Sequence, residues 1–316
     1  MPNGNWSSVN LWAENDRKPS TIINEGDYDI CHIQEPYTPF IAWELIKNVQ
    51  IPKVTTFHLS WDDNSIANIL KPFLPIMRRN FSLYVNGAIY ISKISQRRWE
   101  KLCSNKVKQK VILSGLDQKL FSSVKHGEKN NSINILFLAR LVSKKGLMFL
   151  LEALLKLRKD FPNVKLTVVG AGPEKKKYEN YVHIHHLTQA VLFTGNVSDV
   201  KRSQLYQQAD IFCAPYVDEG YGLTVLEAMA CACPIVGFRN EAFRETLEKY
   251  PNPELLVKSR DINALGQALK KLTIDSQLRK KLGAWGVKNS KKYSWEKAAQ
   301  ETEAFYYQIV NSAKAG

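Results

Sequence analysis

The chain has 316 residues, of which 44% are hydrophobic and 23% are charged. This composition is typical of a folded protein and excludes a disordered chain, and the length allows two domains. The formal net charge of +14 favours an anionic partner. Nucleic acid, anionic lipid and a phosphate-bearing substrate are all anionic partners. The net charge does not distinguish them, so the choice depends on individual residues and motifs.

The cysteines and the apolar segments favour a cytoplasmic protein. No run of about 18 apolar residues is present, so no transmembrane helix is predicted. The first residues are polar and lack the features of a secretory signal. The cysteines are few, scattered and odd in number, which favours reduced thiols. Cys231 and Cys233 have no second cysteine pair and no histidine nearby, so they are not interpreted as a metal site.

In the first part of the chain, short apolar runs predict strands. These are Tyr28–Ile33, Lys53–Leu59, Gly87–Ile91 and Lys110–Leu113. The segment Ile66–Met77 is apolar and is followed by two arginines. It is either an ordinary core helix interrupted by prolines or a segment that contacts the surface of a membrane.

Basic residues dominate from Arg78 to Lys110, where Glu100 is the single acid. A solvated basic face is the common explanation of such a run. Nucleic-acid binding is not predicted, because aromatic residues do not interleave with the basic ones beyond Trp99.

A polar stretch at 122–132 has the composition of a linker, and a new domain is predicted after it. Further strands are predicted at Ile133–Leu138, Val164–Val169, Val191–Thr194, Ile211–Pro215 and Pro234–Phe238. Helices are predicted at Gly146–Leu157, Thr224–Ala232, Glu241–Glu248 and Trp295–Val310. Strands that alternate with helices predict an α/β fold with parallel sheets covered on both faces.

Residues that follow strands are candidates for a ligand site, because parallel sheets bind ligands at the carboxyl ends of their strands. Arg140 and Lys145 follow one strand and precede a helix, where cations oppose the helix dipole. A diphosphate between these cations and the backbone N–H groups would explain both, and so would an exposed basic loop. Gly170 and Gly172 have two explanations. They permit a close approach to the backbone or a positive φ, or they simply form a strand-to-helix turn.

The stretch DEGYGLTVLEAMA carries two glutamates, Glu219 and Glu227. Thr224 and Glu227 fit a capping box, with Thr224 as the N-cap. Glu219 lies outside the helix, so a ligand is the one explanation that the pattern offers for it. A carboxylate accepts two hydroxyl hydrogen bonds, which suits a sugar at Glu219 and the two hydroxyls of a ribose at Glu227.

In the first half, Gln34, Glu35 and His58 also follow predicted strands. His58 is explained either as a satisfied polar residue or as part of a site, and both explanations stay open. A second group of histidines, His183, His185 and His186, has no carboxylate or cysteine partners, so no metal site is predicted.

Together these segments resemble the GT-B glycosyltransferases of the family 4 type. In the second half the motifs are FLARLVSKKG, VVGAGPE, VLFTGNV, ADIFCAPYVDEGYGLTVLEAMACACPIV and YSW, in the order that the family uses. In the first half, DYDICHIQEPYTPF, IPKVTTFHLSW, AIYIS and VILSGLD look like the acceptor-side domain of that family. HIQEPYTPF and EAFRETL look most like the phosphatidylinositol mannosyltransferase branch.

The resemblance implies two Rossmann-like, doubly wound domains that face a cleft. An acceptor-side domain is expected at 1–125, a nucleotide-sugar domain at 133–293, and a C-terminal helix at 294–316 that crosses back to the first. The implied activity is that of a retaining, metal-independent hexosyltransferase without a cofactor. Its donor would be GDP-mannose or a UDP-sugar. Its acceptor would be a lipid or a glycan, with a peripheral contact to anionic lipid at the inner face of the cell membrane.

The resemblance also implies a role for each matched residue. Arg140 and Lys145 would hold the diphosphate, Glu227 the ribose and Glu219 the transferred sugar. His58 would face the sugar from the other domain. The implied catalytic residues are therefore Glu219, His58, Arg140 and Lys145. The remaining donor-binding positions are Gly172, Gly222, Leu223 and Thr224.

One departure from the family pattern leaves a second hypothesis open. Family members begin with a strand and a glycine-rich loop, and this chain enters the pattern later. The first domain is therefore expected to be incomplete. The alternative function is a remnant that binds a nucleotide sugar without transferring it.

Overall fold

The computed structural model describes residues 18–36, 41–58, 74–123 and 132–314. The chain forms two compact units, one made of Met1–Gly115 with Trp295–Gly316 and the other of Leu116–Ser294. Most of the predicted linker at 122–132 lies outside the described residues, as does most of Ile66–Met77.

The first unit is built on a four-stranded parallel sheet in the order β1-β2-β3-β4. Its strands are β1 (Cys31–Gln34), β2 (Lys53–Phe57), β3 (Gly87–Tyr90) and β4 (Lys108–Val111). Its helices are α1 (Pro19–Glu25), α2 (Ile41–Asn48), α3 (Leu74–Tyr84), α4 (Lys93–Trp99) and the C-terminal helix (Trp295–Lys314). The four strands predicted for this half are confirmed, with ends shifted by a few residues.

Both faces of this sheet are covered, which explains why β2 is buried along its whole length. On one face Phe57 stacks on Tyr90 and Trp99, with ring centroids 5.3 and 5.4 Å apart. On the other face Phe305 and Ile309 of the C-terminal helix pack against residues of β2 and β3. The C-terminal helix therefore contributes to the core of the first unit.

The second unit is built on a six-stranded parallel sheet in the order β10-β9-β8-β5-β6-β7. Its strands are β5 (Asn134–Leu138), β6 (Lys165–Val169), β7 (Val191–Gly195), β8 (Ile211–Ala214), β9 (Ile235–Phe238) and β10 (Leu256–Val257). Its helices are α5 (Leu147–Asp160), α6 (Lys175–Ile184), α7 (Asp199–Gln208), α8 (Leu223–Ala230), α9 (Glu241–Thr246), α10 (Ile262–Ile274) and α11 (Ser276–Ser290). Counted from β5, this is the strand order of a doubly wound Rossmann sheet, and the order reverses between β5 and β8. The α/β prediction is confirmed.

Two further expectations concern the cysteines, expected to be reduced, and the helices, none of which is expected to cross a membrane. All five cysteines are free and buried. Burial raises the pKa of Cys231 to about 12, so this thiol is uncharged at neutral pH. Within the described ranges, none of the helices combines the length and the apolar character that crossing a bilayer requires.

Candidate functional site

A cleft of about 460 Å³ lies in the second unit, at the carboxyl ends of β5, β6, β7 and β8. β5 and β8 are neighbours in the sheet at the point where the strand order reverses, which is where doubly wound sheets bind ligands. The polar side chains that line the cleft include Arg140, Lys145, Asn196, Arg202, Glu219 and Thr224. The cleft therefore lies at the edge of the sheet where a ligand is expected from the sequence.

Gly146 holds the cationic loop after β5 against the loop after β8. The loop ends in a 3₁₀ turn at Ser143–Lys145, and Gly146 follows it with a φ of 72°. A Cβ at this position would lie 2.0 Å from the carbonyl oxygen of Pro215, so only glycine fits. This close approach brings the Lys145 side chain to the residues that follow β8.

Lys145 and Glu219 form an ion pair inside the cleft. Nζ of Lys145 lies 2.7 Å from Oε2 of Glu219, and both side chains are largely buried. The Lys145 ammonium group also lies 4.6 Å from the centroid of the Tyr216 ring. The backbone N–H of Gly220 donates a hydrogen bond to Oε1 of Glu219. The interpretation that only a ligand explains Glu219 is therefore wrong, because Lys145 is its partner within the protein.

The predicted catalytic residues fall into both units. Arg140, Lys145 and Glu219 line the one cleft, and Arg140 is exposed there. The fourth, His58, belongs to the first unit. The structure thus brings together the residues assigned to the diphosphate and to the transferred sugar.

Helix α8 begins differently from the sequence prediction. Its N-cap is Gly222, with a φ of 87°, and no side chain caps the helix, so the predicted capping box is wrong. The physical reason is that the glycine turn ends the loop two residues earlier, which leaves Thr224 inside the first turn. The Thr224 hydroxyl lies 3.3 Å from that of Tyr216. Gly222, Leu223 and Thr224 all line the cleft, so the positive end of the α8 dipole faces it.

Glu227 is buried behind the cleft and is paired with Arg202. Oε1 of Glu227 lies 3.1 Å from Nη2 of Arg202. Burial raises the pKa of Glu227 to about 6, and the charge of Arg202 opposes that shift. Arg202 itself lines the cleft and lies 5.2 Å from the centroid of the Phe121 ring.

Arg202 was not predicted from the sequence, because it lies in α7 and belongs to none of the recognised motifs. The VLFTGNV motif provides a nearby signal, because Asn196 in that motif lines the same cleft. Surface arginines are common in helices, so the side chain alone carried no information before the fold was known.

The glycines after β6 have a structural reason. A Cβ on Gly172 would lie 2.4 Å from the carbonyl oxygen of Leu141, and one on Gly170 would lie 2.1 Å from that of Ala139. Gly170 lines the cleft, whereas Gly172 is not among the lining residues. The packing of two loops therefore explains why Gly172 is a glycine. A contact with the nucleotide-sugar donor is not needed to explain it.

In the first unit, polar residues cluster at the carboxyl ends of β1 and β2. Nε2 of His58 is hydrogen-bonded to Oε1 of Gln34. Glu35 has a φ of 53°, which residues with a side chain rarely adopt. Burial raises the pKa of Glu35 to about 7, against a hydrogen bond from the backbone N–H of His58. Burial also lowers the pKa of His58. His58 therefore has partners within the protein, and its contact with a sugar stays a prediction.

Residues 118–288, more than half of the chain, match the family of glycosyl transferases group 1. The chain belongs to that family. The matched span includes the whole of the cleft described above.

This glycosyltransferase is similar, over most of its length, to proteins named as mannosyltransferases. The phosphatidyl-myo-inositol mannosyltransferase of Mycolicibacterium smegmatis is 29% identical over 310 residues, which cover 96% of this chain and 77% of that protein. The protein of the same name from Mycobacterium leprae is 29% identical over 294 residues, covering 91% of this chain and 75% of that one.

Solved structures show the same fold. A glycosyltransferase from Rickettsia africae has a TM-score of 0.75 at 19% identity, covering 95% of this chain and 84% of that one. HepE from Anabaena, solved with UDP and glucose, has a TM-score of 0.74 at 18% identity, covering 90% and 79%. The GT-B fold of the family 4 type that the motifs predict is confirmed.

Proposed function

We propose that this glycosyltransferase moves a hexose from a nucleotide diphosphate sugar to a lipid or glycan acceptor, with retention of the anomeric configuration. The observation that carries the proposal is the set of cations at the switch point of the second sheet. Arg140, Lys145 and Arg202 line the cleft beside the N-terminus of α8, and a diphosphate meets both the charges and the helix end. Mannose is the first candidate, since the relatives from mycobacteria are named mannosyltransferases. The UDP and glucose bound to HepE support the nucleotide-sugar class.

In this proposal the cations stabilise the leaving diphosphate. Cleavage of the bond between the sugar C1 and the diphosphate oxygen leaves negative charge on that oxygen. Arg140, Lys145 and the α8 dipole offset this charge, so they take the part that a metal ion plays in other transferases. Each such contact contributes about 2–4 kcal/mol to the transition state, by analogy with the removal of one oxyanion donor.

Donor binding is proposed to exchange the partner of Lys145. Before binding, Lys145 is paired with Glu219 at 2.7 Å. A diphosphate oxygen competes for the same ammonium group, and its charge makes it a strong acceptor. The Glu219 carboxylate then becomes available to the hydroxyls of the transferred sugar, which is the role that the motif implies.

Glu227 is proposed to bind the ribose hydroxyls through a similar change. Arg202 covers its carboxylate, at 3.1 Å, and Glu227 does not line the cleft in this arrangement. A ribose contact therefore requires the Arg202 side chain to move. Its guanidinium group remains close enough to the cleft to contribute to anion binding.

A lipid acceptor is proposed from the relatives' names and from the surface of α3. Ile76, Arg79 and Leu83 share one face of α3 by their spacing, and Ile76 and Leu83 are 55% and 62% exposed. Apolar and basic residues on one face suit the surface of an anionic membrane. Flotation with anionic and neutral vesicles tests this, and equal recovery from both would count against it.

The transfer itself is tested with the full chain, a panel of nucleotide sugars including GDP-mannose and UDP-glucose, and extracted lipids as acceptors. NMR of the product gives its anomeric configuration, and retention is expected. Glu219→Ala is expected to abolish transfer. Glu179→Ala removes a partly exposed glutamate that is also paired with a lysine, and should not change the rate. Binding of the donor without transfer to any acceptor would favour the remnant hypothesis.

A further inference from the structure

Two neighbouring lysines of the turn after β5 contact two neighbouring acids of the loop after β8. Nζ of Lys145 lies 2.7 Å from Oε2 of Glu219, which is called the inner pair below. Nζ of Lys144 lies 3.8 Å from Oδ2 of Asp218, which is called the outer pair. The backbones also meet, because the N–H of Val217 donates a hydrogen bond of 2.9 Å to the carbonyl oxygen of Lys144. Two ion pairs and a backbone hydrogen bond therefore join the turn to the loop.

The two ion pairs differ in their relation to the cleft. Lys145 and Glu219 line the cleft and are largely buried. Lys144 and Asp218 are not among the residues that line it, and their side chains keep 33% and 29% exposure. An anionic ligand in the cleft therefore competes with the inner pair and leaves the outer pair in place.

The exchange proposed above, in which Lys145 moves to the donor diphosphate, removes one connection between the turn and the loop. The ammonium group still has the Tyr216 ring as a partner, with its centroid 4.6 Å away. Glu219 keeps the hydrogen bond from the N–H of Gly220, which belongs to the same loop and does not fix the loop to the turn. The outer pair and the Val217 hydrogen bond then hold the loop against the turn.

We propose that Lys144 and Asp218 are positioning residues that keep Glu219 in the cleft when the diphosphate takes Lys145 from it. In the donor-free protein the outer pair is redundant, because the inner pair holds the same loop. In the donor complex that redundancy is lost, so the outer pair contributes more to the complex than to the free protein. The inference rests on the proposed function for the sugar that Glu219 receives, whereas the redundancy of the two pairs is a property of the second unit alone.

Replacing Lys145 with methionine breaks the inner pair without any ligand, and the amide proton of Val217 reports whether the loop stays on the turn. Hydrogen exchange of this amide is measured by NMR in the full chain of the wild type, Asp218→Asn, Lys145→Met and the double variant. Because either pair holds the loop, the double variant should exchange at least about threefold faster than the product of the two single effects. An exchange rate equal to that product would overturn the redundancy.

A comparison of ligands with and without the sugar tests the effect on Glu219. Asp218→Asn should lower kcat/KM for the nucleotide sugar about threefold, because the carboxylate that receives the sugar is held less well. The affinity for GDP or UDP, measured by calorimetry, should stay unchanged, because these ligands have no sugar for Glu219 to contact. Asp160→Asn makes the same chemical change in an exposed pair with Lys270 and should leave kcat/KM unchanged.

Reversal of the outer pair completes the test. Lys144→Asp combined with Asp218→Lys restores an ion pair of opposite direction and should recover most of the lost kcat/KM. A loss that the reversed pair does not reduce, or an equal loss of affinity for GDP and UDP, would overturn the positioning of Glu219. If the wild type transfers no sugar from any donor, the proposed function fails. Hydrogen exchange then still decides whether the outer pair holds the loop.

Discussion

Replacing Arg202 with methionine tests the ion pair behind the cleft. Methionine keeps much of the apolar stem and removes the charge that lies 3.1 Å from Glu227. Glu227 is 7% exposed, so its carboxylate cannot turn to solvent without a local rearrangement. We therefore expect Arg202→Met to destabilise the protein wherever Glu227 is ionised.

The magnitude follows from the pKa of Glu227. A pKa of about 6, against 4.5 in the absence of the fold, means that the ionised carboxylate already costs about 2 kcal/mol of stability with Arg202 in place. Removing one member of a buried pair typically costs about 3–5 kcal/mol. Arg202 keeps 27% exposure of its side chain, so we expect the lower end, about 3 kcal/mol.

The sign of the pH dependence is fixed by the direction of the shift. The pKa of Glu227 is higher in the folded state, so the free energy of unfolding falls as the pH rises from the unfolded value through the folded one. Loss of Arg202 raises the folded pKa further, so the deficit of the variant grows with pH. It is small at about pH 4, where the carboxyl group is mostly protonated in both states, and full at about pH 8.

Urea unfolding of the wild type, Arg202→Met, Glu227→Gln and the double variant measures these differences. At about pH 8 the double variant should recover most of the stability that Arg202→Met loses, since no buried charge is left unpaired. A deficit that is the same at acidic and alkaline pH would refute the electrostatic reasoning. It would point to lost packing of Arg202 on the Phe121 ring instead.

Two further predictions concern stability. Glu35→Gln should raise the free energy of unfolding at about pH 8, by up to about 3 kcal/mol, because ionising a group whose folded pKa is about 7 opposes folding. The difference should vanish near pH 4 in denaturant titrations, and a difference that does not change with pH would contradict it. Gly172→Ala should lower the melting temperature, because its Cβ would lie 2.4 Å from the carbonyl oxygen of Leu141. Gly266→Ala, in α10 with no atom near its Cβ, should gain about 1 kcal/mol, and equal effects in calorimetry would refute the packing argument.

Hydrophobic patterning was sufficient for most of the fold. Strands such as β2 and β8 are buried along their whole length, so a short run of strand-forming residues shows them directly in the sequence. β10 was missed because a strand of two residues, Leu256–Val257, gives no pattern. The start of α8 was predicted wrongly because the sequence offers two N-caps, Thr224 in a capping box and Gly222. The left-handed conformation of Gly222 makes the glycine the N-cap.

The positions of the cleft residues that follow strands could be predicted from the sequence. The ion pairs that these residues form could not, because they depend on tertiary contacts. Arg140, Lys145 and Glu219 were singled out because strand ends and glycine turns mark them in the sequence, and the three line one cleft. The pairing of Lys145 with Glu219 was not predictable, because it depends on the approach of Gly146 to Pro215. Arg202 was missed for the same reason, since its partner Glu227 lies on another helix.

Calorimetric titration of GDP-mannose and UDP-glucose into the wild type and Lys145→Met tests the central claim most directly. The matched control is Lys156→Met, which removes an exposed lysine of α5 that is hydrogen-bonded to Asn263. If the cleft binds the diphosphate through Lys145, at least one of the two donors binds the wild type and Lys156→Met alike. It should bind Lys145→Met at least about tenfold more weakly, as expected for the loss of one charge-assisted contact. Equal binding by all three proteins, or no binding of either donor to the wild type, would contradict the account.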